Sequence, residues 1–387
     1  MPQTFHRDRF TWMAYLFLAF YGYFLNVLGP ITPFLKDELH LSYTVSSLHF
    51  TAFAVGILLV GLGGHVPIRR LGRWRALWIG AAGMSVGALL LVAGRTPVIT
   101  IGAAFLMGAI GSLILAVVPS ALSDRHGELR AVAISEANVI ASFVTTAAPL
   151  LVGWFAYSVG GWRLALVIVA VALLLMYLGF RKVASPMRPS IQGSPAQAHR
   201  PLPTLYWVYW TALALAVSVE FCMIFWSADY LMTVLGMPKA DAAQAVSLFL
   251  AGMLLGRLAG SRLVRYFAAS RLVIGATLVA ALGFLIFWRT GTVILGLSGL
   301  FITGLGVASM YPLILSLAMG TAPNNTIQAS ARATLASGAA ILTLPLVLGR
   351  LADAIGIRPA YGVVALLLLG VFLMIQFAGA PHPVQPS

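Results

Sequence analysis

One carboxyl group lies deep inside a long apolar stretch of this chain. Glu220 occurs in LALAVSVEFCMIFWSADYL, about sixteen residues after the stretch begins near residue 204. A charge at the centre of a bilayer costs a few kcal/mol, so an ionisable residue there needs a partner or a water-filled cavity. We therefore predict that Glu220 carries a proton or accepts a hydrogen bond from a bound solute. The alternative is a protonated structural carboxyl that bonds to a neighbouring helix.

The same stretch contains two further candidates for contact with a solute. Trp226 and Asp229 follow Glu220 towards the end of the stretch. For Asp229 the alternative is an ordinary polar residue at the mouth of a cavity.

Polar side chains also occur inside other apolar stretches. Tyr23 and Asn26 are three residues apart and therefore share a helix face. Together they could hydrogen-bond a hydroxylated or carboxylated ligand, and His49 and Asn138 are similar candidates. Tyr311 precedes a proline, whose ring would kink a helix and free backbone carbonyls. For each residue the alternative is a hydrogen bond between helices.

The composition indicates a membrane setting for these residues. Of the 387 residues, 60% are apolar and only 9% are charged, whereas about a quarter of a typical globular domain is charged. So few charges cannot cover the surfaces of the two or three soluble domains that this length implies. The composition therefore nearly excludes a soluble enzyme and favours a polytopic, all-α membrane protein.

The net charge and the spacing of the histidines and the cysteine argue against further classes of function. The net charge of +14 is typical of cytoplasmic loops in a membrane protein, so we predict a lipid bilayer and no nucleic acid as partner. The seven histidines and the single Cys222 show no metal-ligand spacing, and no nucleophile with a base is evident. We predict no metal, no cofactor and no enzymatic activity.

Twelve segments are long and apolar enough to cross a bilayer. They span about residues 11–35, 45–66, 76–94, 98–122, 131–158, 161–180, 204–235, 242–261, 272–288, 292–319, 331–352 and 359–379. With both termini on one side, fifteen Lys and Arg lie on that side, seven lie opposite and two lie within spans. The positive-inside rule then predicts a multi-pass protein of the cell (inner) membrane with both termini in the cytoplasm.

A basic linker divides the spans into two sets of six. Residues 181–203 carry five prolines, four basic residues and no acid, which is typical of an extended segment. We therefore predict one bundle over residues 1–180 and a second over 204–387, in a chain that is a monomer.

The two halves repeat at a constant offset of 196 residues. At this offset Gly56 corresponds to Gly252, Gly108 to Gly304, and Pro149 to Pro345. Matches of glycine and proline in one register are less easily explained by chance than matches of leucine. A parallel six-plus-six repeat predicts two similar bundles that rock around a site at their interface.

The same offset pairs two charged residues near the ends of their spans. Glu136 corresponds to Arg332, and we predict that they form a bridge between the halves in one state and separate in the other. An equally plausible alternative is that both extend to cytoplasmic water. A less favoured one is that Arg332 binds a substrate carboxylate in a bidentate fork.

Twelve spans, the repeat and the basic linker together resemble the major facilitator superfamily of secondary transporters. The loop GGHVPIRRLGRWR resembles the family's motif between spans two and three, with Gly72 and Arg73 matching the end of that motif. Arg69 occupies the position where the family has an acid. The resemblance implies two pseudo-symmetric six-helix bundles, with Arg69 and Arg73 near the cytoplasmic gate, and a later segment weakly resembles sugar-permease-like members.

These observations predict a secondary active transporter that works by alternating access. We expect its substrate to be small and polar or anionic, such as an organic acid or a sugar. If transport is a symport, H⁺ is the coupling ion that Glu220 would carry. The alternative is efflux of amphipathic compounds by proton antiport, which needs a large aromatic cavity and an acid.

Overall fold

The structure is a computed structural model that describes residues 5–63, 68, 70–183, 202–322 and 326–379. Every regular element within those ranges is helical. Twelve of these elements are long and apolar enough to cross a membrane. This confirms the predicted all-α fold and the number of spans.

The first half contains seven α-helices in the described residues. They are α1 Arg9–Glu38, α2 Tyr43–Gly63, α3 Arg73–Ala93, α4 Pro97–Gly111, α5 Leu113–His126, α6 Arg130–Ala156 and α7 Arg163–Phe180. Helices α4 and α5 together form the fourth span, interrupted at Ser112. The predicted span of residues 98–122 covers both helices, and the apolar pattern alone does not indicate the break at Ser112.

The second half contains seven more α-helices in the described residues. They are α8 Thr204–Leu235, α9 Lys239–Leu263, α10 Ala269–Arg289, α11 Val293–Gly320, α12 Thr326–Ile355, α13 Ile357–Ala360 and α14 Gly362–Gly379. Helix α8 ends at Gly236, whose φ of 67° is the left-handed cap that glycine adopts readily. Helices α13 and α14 together form the last span.

The segment before α1 is fixed to the first half by charged contacts. The carboxylate of Asp8 caps α1 by accepting a hydrogen bond from the Thr11 N–H at 2.8 Å. It also accepts one from Arg125 Nη2 at 2.5 Å. Burial raises the pKa of Asp8, but the bonds from Thr11 and Arg125 outweigh burial and hold that pKa below its usual value.

Glycine contacts reproduce the sequence repeat in three dimensions. A Cβ atom on Gly108 would lie 2.1 Å from the Phe53 oxygen, and one on Gly304 would lie 2.1 Å from the Phe249 oxygen. Phe53 and Phe249 are themselves 196 residues apart. Small residues allow such close backbone approach within membranes. Helix α4 therefore packs on α2 in the same way as α11 packs on α9.

We call the side of the membrane at which α1 begins the terminal side, and the side at which it ends the far side.

Three helix pairs join the two halves near the far side. A Cβ atom on Gly29 of α1 would lie 2.1 Å from the Ile224 oxygen of α8. Gly153 of α6 approaches α9, and Gly349 of α12 approaches α2, in similar contacts with backbone oxygens.

Candidate functional site

Ion pairs between the halves close the far side. Lys36 Nζ of α1 lies 2.5 Å from Asp229 Oδ1 of α8, and the Asp229 side chain is fully buried. Lys239 at the start of α9 contacts Asp37. The carboxylate of Asp353 at the end of α12 accepts hydrogen bonds of 2.8 Å from two backbone N–H groups at the start of α2. These contacts bind the far ends of both bundles together.

An aromatic layer lies just inside these ion pairs. The rings of Phe50 and Phe225, from opposite halves, stack with centroids 4.0 Å apart and an interplanar angle of 8°. Trp226 is buried beside Phe50, and its Nε1–H donates to the Pro345 oxygen at 3.0 Å. This layer separates the middle of the protein from the far side.

A cavity of about 760 Å³ lies between the halves on the other side of this layer. Its lining residues are Asn138, Val217, Glu220, Phe221, Arg257, Gly260, Ser261, Val264, Ser309, Tyr311, Pro312, Leu313, Ser316, Ser337 and Ile341. Gly260, Ser261 and Val264 belong to the terminal end of α9. The cavity therefore extends from the level of Glu220 towards the terminal side.

A smaller cavity of about 110 Å³ adjoins the first one. Asn26 and Ser142 line it from the first half, and Asn138, Glu220 and Arg257 line both cavities. One acid and one base from the second half thus meet four small polar side chains from the first half, Thr145 being the fourth, at the centre of the protein.

Glu220 and Arg257 form a loose ion pair. Arg257 Nη2 lies 3.8 Å from Glu220 Oε1, and the two side chains are 45% and 17% exposed respectively. Arg257 Nη1 also donates to the Ser142 hydroxyl at 3.1 Å, so the guanidinium bridges α9 to α6. A bidentate pair has N···O distances near 2.8 Å. The guanidinium therefore keeps donors for another acceptor.

Arg257 lies deeper in the protein than its position in the chain predicts. Because it lies five residues before Arg262, the spacing predicts a side chain that extends to the cytoplasmic surface. Instead it turns into the cavity. The signal was present, since an ionisable residue inside a span normally faces the protein interior.

Four predicted residues lie at the cavities. Glu220, Asn138 and Tyr311 line the large one, and Asn26 lines the small one. The side-chain amides of Asn26 and Asn138 each donate 2.8 Å hydrogen bonds to carbonyls one turn earlier. These bonds hold the two amides in fixed orientations beside the charged pair. The solute contacts predicted for the four residues stay predictions.

Four others contact neighbouring helices in this state, and the solute contacts predicted for them stay predictions. The Tyr23 hydroxyl donates to the Ala165 oxygen at 2.8 Å, so Tyr23 packs on α7. His49 is buried, with Nε2 2.9 Å from the Thr100 hydroxyl on α4. Trp226 belongs to the aromatic layer, and Asp229 pairs with Lys36. Tyr23 and Asn26 differ by about 60° around α1, which is enough to direct them to different neighbours.

Glu136 is paired, but not with Arg332. Its carboxylate accepts hydrogen bonds from Arg7 Nε at 2.8 Å, from Arg7 Nη2 at 2.6 Å and from the Tyr15 hydroxyl at 3.1 Å. Arg332 is exposed, and its backbone oxygen accepts a bond from Trp210. The predicted bridge is therefore absent in this state, and its formation in another state stays a prediction.

The basic loop before α3 is only partly described. Arg69 lies outside the described residues. Arg73 contacts Asp124 of α5, so its acidic partner belongs to the same half and follows much later in the chain. This ion pair lies within the first half, and a gating role for Arg73 stays a prediction.

The sequence profile of the Major Facilitator Superfamily matches residues 13–341. The chain belongs to the Major Facilitator Superfamily. It is 31% identical over 152 residues to an uncharacterized MFS-type transporter of Yersinia pestis, a match that spans 39% of this chain and 40% of that protein. It is 27% identical over 372 residues to a glucose/galactose transporter of Brucella abortus, covering 89% and 88% of the two chains.

Solved structures show the same fold. A bacterial homolog of the human lysosomal transporter Spinster, in an inward-facing and occupied conformation, superimposes with a TM-score of 0.81. The two chains share 15% identity, and 97% of each is covered. The chain is thus a multi-pass membrane transporter of the Major Facilitator Superfamily and not an enzyme.

Proposed function

We propose that the protein is a secondary active transporter that moves a small polar or anionic solute by alternating access. The observation that supports this is the central cavity, which both halves line and which the far-side contacts close at one end. A site of this kind at the interface of two repeats suits a protein whose halves rock around a bound solute.

The polar lining favours a solute that makes several hydrogen bonds. Asn138 contributes from the first half, and Ser309, Ser316 and Ser337 contribute from the second. The similarity to a glucose/galactose transporter agrees with such a solute. The main alternative is efflux of amphipathic compounds, which the apolar side chains of Val217, Phe221 and Ile341 in the same cavity favour.

The membrane orientation is part of this proposal. Both termini lie in the cytoplasm of the cell (inner) membrane, as the excess of basic residues on that side predicts. The cavity then opens to the cytoplasm and the far side faces outwards. Glu220, the one acid that lines the cavity among the described residues, takes up the coupling proton.

Glu136 and Arg332 complete the proposal as a gate on the terminal side. When that side closes, Glu136 exchanges Arg7 for Arg332 and the two halves are held together there. A charge exchange tests this step. Glu136→Arg should abolish transport, and adding Arg332→Glu should restore it in part, whereas no restoration would contradict the gate.

Counterflow in proteoliposomes tests the proposed transport. We expect exchange of labelled sugars or organic acids, and loss of pH-driven accumulation in Glu220→Gln with exchange preserved. Broad dye efflux without any sugar or acid exchange would instead support the alternative. Unchanged pH-driven accumulation in Glu220→Gln would exclude Glu220 as the proton carrier.

A further inference from the structure

The cavity contains a cation whose hydrogen-bonding capacity is mostly unused. Arg257 has five N–H donors, one of which is used by Ser142 at 3.1 Å. Glu220 approaches to 3.8 Å, beyond hydrogen-bonding distance. Nearly half of the Arg257 side chain is exposed to the cavity. A planar guanidinium with free donors matches the two oxygens of a carboxylate.

The charges at the site limit what it can hold. Arg257 and Glu220 are the only charged side chains among the described residues that line either cavity. With Glu220 ionised the site is neutral, and an anion would meet the Glu220 carboxylate. With Glu220 protonated the site has one uncompensated positive charge. An acid with a single negative charge then neutralises it.

From this geometry we infer that Arg257 is the binding residue for a substrate carboxylate, and that substrate and ionised Glu220 compete for it. The inference rests on the proposed transport function and names its substrate class, a hydroxylated monocarboxylate. The proton that Glu220 takes from water in the cavity removes the competing negative charge beside Arg257, and the substrate carboxylate then binds. One proton and one monoanion therefore cross together, without net charge.

Few other charged or titratable side chains lie near Glu220 to alter this competition for Arg257. Arg257 approaches from α9, and Tyr311 from α11 is the second titratable side chain that lines the cavity. Helices α1, α6 and α12 contribute Asn26, Asn138 and Ser337, which do not titrate. The charged pair of Lys36 and Asp229 lies about 13 Å further along α8 than Glu220, beyond the aromatic layer.

The test compares gluconate with glucose, which resembles it in size and hydroxyl groups but has no charge. Purified protein in proteoliposomes should exchange labelled gluconate. The exchange should be faster when the pH is lowered on the side of the membrane to which the cavity opens. Arg257→Gln should reduce this exchange about 30-fold or more, because a charge-assisted contact is lost. Arg257→Lys keeps the charge without the fork, and an intermediate loss of about 10-fold is expected.

Two further variants complete the design. Glu220→Gln should exchange gluconate at a rate independent of pH, because Arg257 is permanently free. Arg262→Gln, on the same helix but at its exposed end outside both cavities, should exchange gluconate at the wild-type rate. Thermal unfolding of each variant with and without gluconate separates misfolding from lost binding, since a bound solute raises the midpoint.

The possible results are distinct. If the protein exchanges glucose but not gluconate, and Arg257→Gln leaves glucose exchange unchanged, the inference is wrong although the transport function stands. If folded wild-type protein exchanges neither and shows only dye efflux, the proposed function fails as well. A loss of gluconate exchange confined to the Arg257 variants, with pH dependence removed in Glu220→Gln, supports the inference.

Discussion

The charged pairs on the far side differ in burial and therefore in their effect on stability. Asp229 is fully buried and its partner Lys36 is 13% exposed, whereas Asp37 and Lys239 are 50% and 30% exposed. Removing one partner of a buried pair leaves an uncompensated charge, at about 3–5 kcal/mol. An exposed pair contributes about 0–1 kcal/mol.

Asp229→Asn should therefore weaken the closed far side much more than Lys239→Met. We expect a loss of about 3 kcal/mol for Asp229→Asn and under about 1 kcal/mol for Lys239→Met. Thermal unfolding in detergent measures both. Replacing Lys36 by Met in the Asp229→Asn background should recover part of the loss, because the unpaired charge is removed. Equal midpoints for the two single variants would contradict this ranking.

At the scale of single residues, the sequence predicted the positions of side chains better than it predicted their partners. The structure places Glu220, Asn26, Asn138 and Tyr311 at the cavities, since polar groups inside apolar spans are directed inwards. Lys36 lies one residue beyond the predicted span 11–35, and its pairing with Asp229 joins residues far apart in the chain. No local pattern encodes such a pair, because it depends on how the bundles dock.

At the scale of helices, the closed far side depends on glycine. Helices α1 and α8 touch where a Cβ atom on Gly29 would lie 2.1 Å from a backbone oxygen. A larger side chain there cannot be accommodated by a rotamer change, because the obstacle is backbone. The two helices would have to move apart, and the aromatic layer at Phe225 would open with them.

Gly29→Leu should hold the far side open. We expect transport to fall to background and a cysteine at Ser47, in the α2–α12 contact, to react several-fold faster with a membrane-impermeant maleimide. Gly102→Leu on α4 serves as a control, since nothing lies within 4 Å of a Cβ atom there. Normal transport by Gly29→Leu would show that this contact does not control closure.

Helix positions were the easiest feature to predict. The predicted seventh span, residues 204–235, coincides with α8, and the others agree to within a few residues at most ends. Apolar length determines a span directly, because the bilayer has a fixed thickness. The break at Ser112 was missed because it changes the backbone hydrogen bonds without changing the apolar pattern.

For the whole molecule, the repeat predicted more than any single motif. The offset of 196 residues appeared first in glycine and proline positions, and it reappears in the contacts of Gly108 and Gly304. The sequence could not predict which of the two states, closed on the far side or closed on the terminal side, the structure would show. Both states belong to one sequence and differ by a few kcal/mol, so the pattern of residues is the same for each.

The central claim is that the far side must open during every transport cycle. A protein with Asp37→Cys and Lys239→Cys, in a Cys222→Ala background, can be linked across the halves by a short, reducible bis-thiosulfonate reagent. Glu38→Cys with Arg163→Cys provides the matched control, because that ion pair lies on the same side but within the first half.

Counterflow of labelled glucose and gluconate is then measured before linking, after linking and after reduction. We predict that linking residues 37 and 239 abolishes exchange, that reduction restores it, and that linking residues 38 and 163 changes it little. Exchange at an undiminished rate with residues 37 and 239 fully linked would contradict alternating access around this cavity.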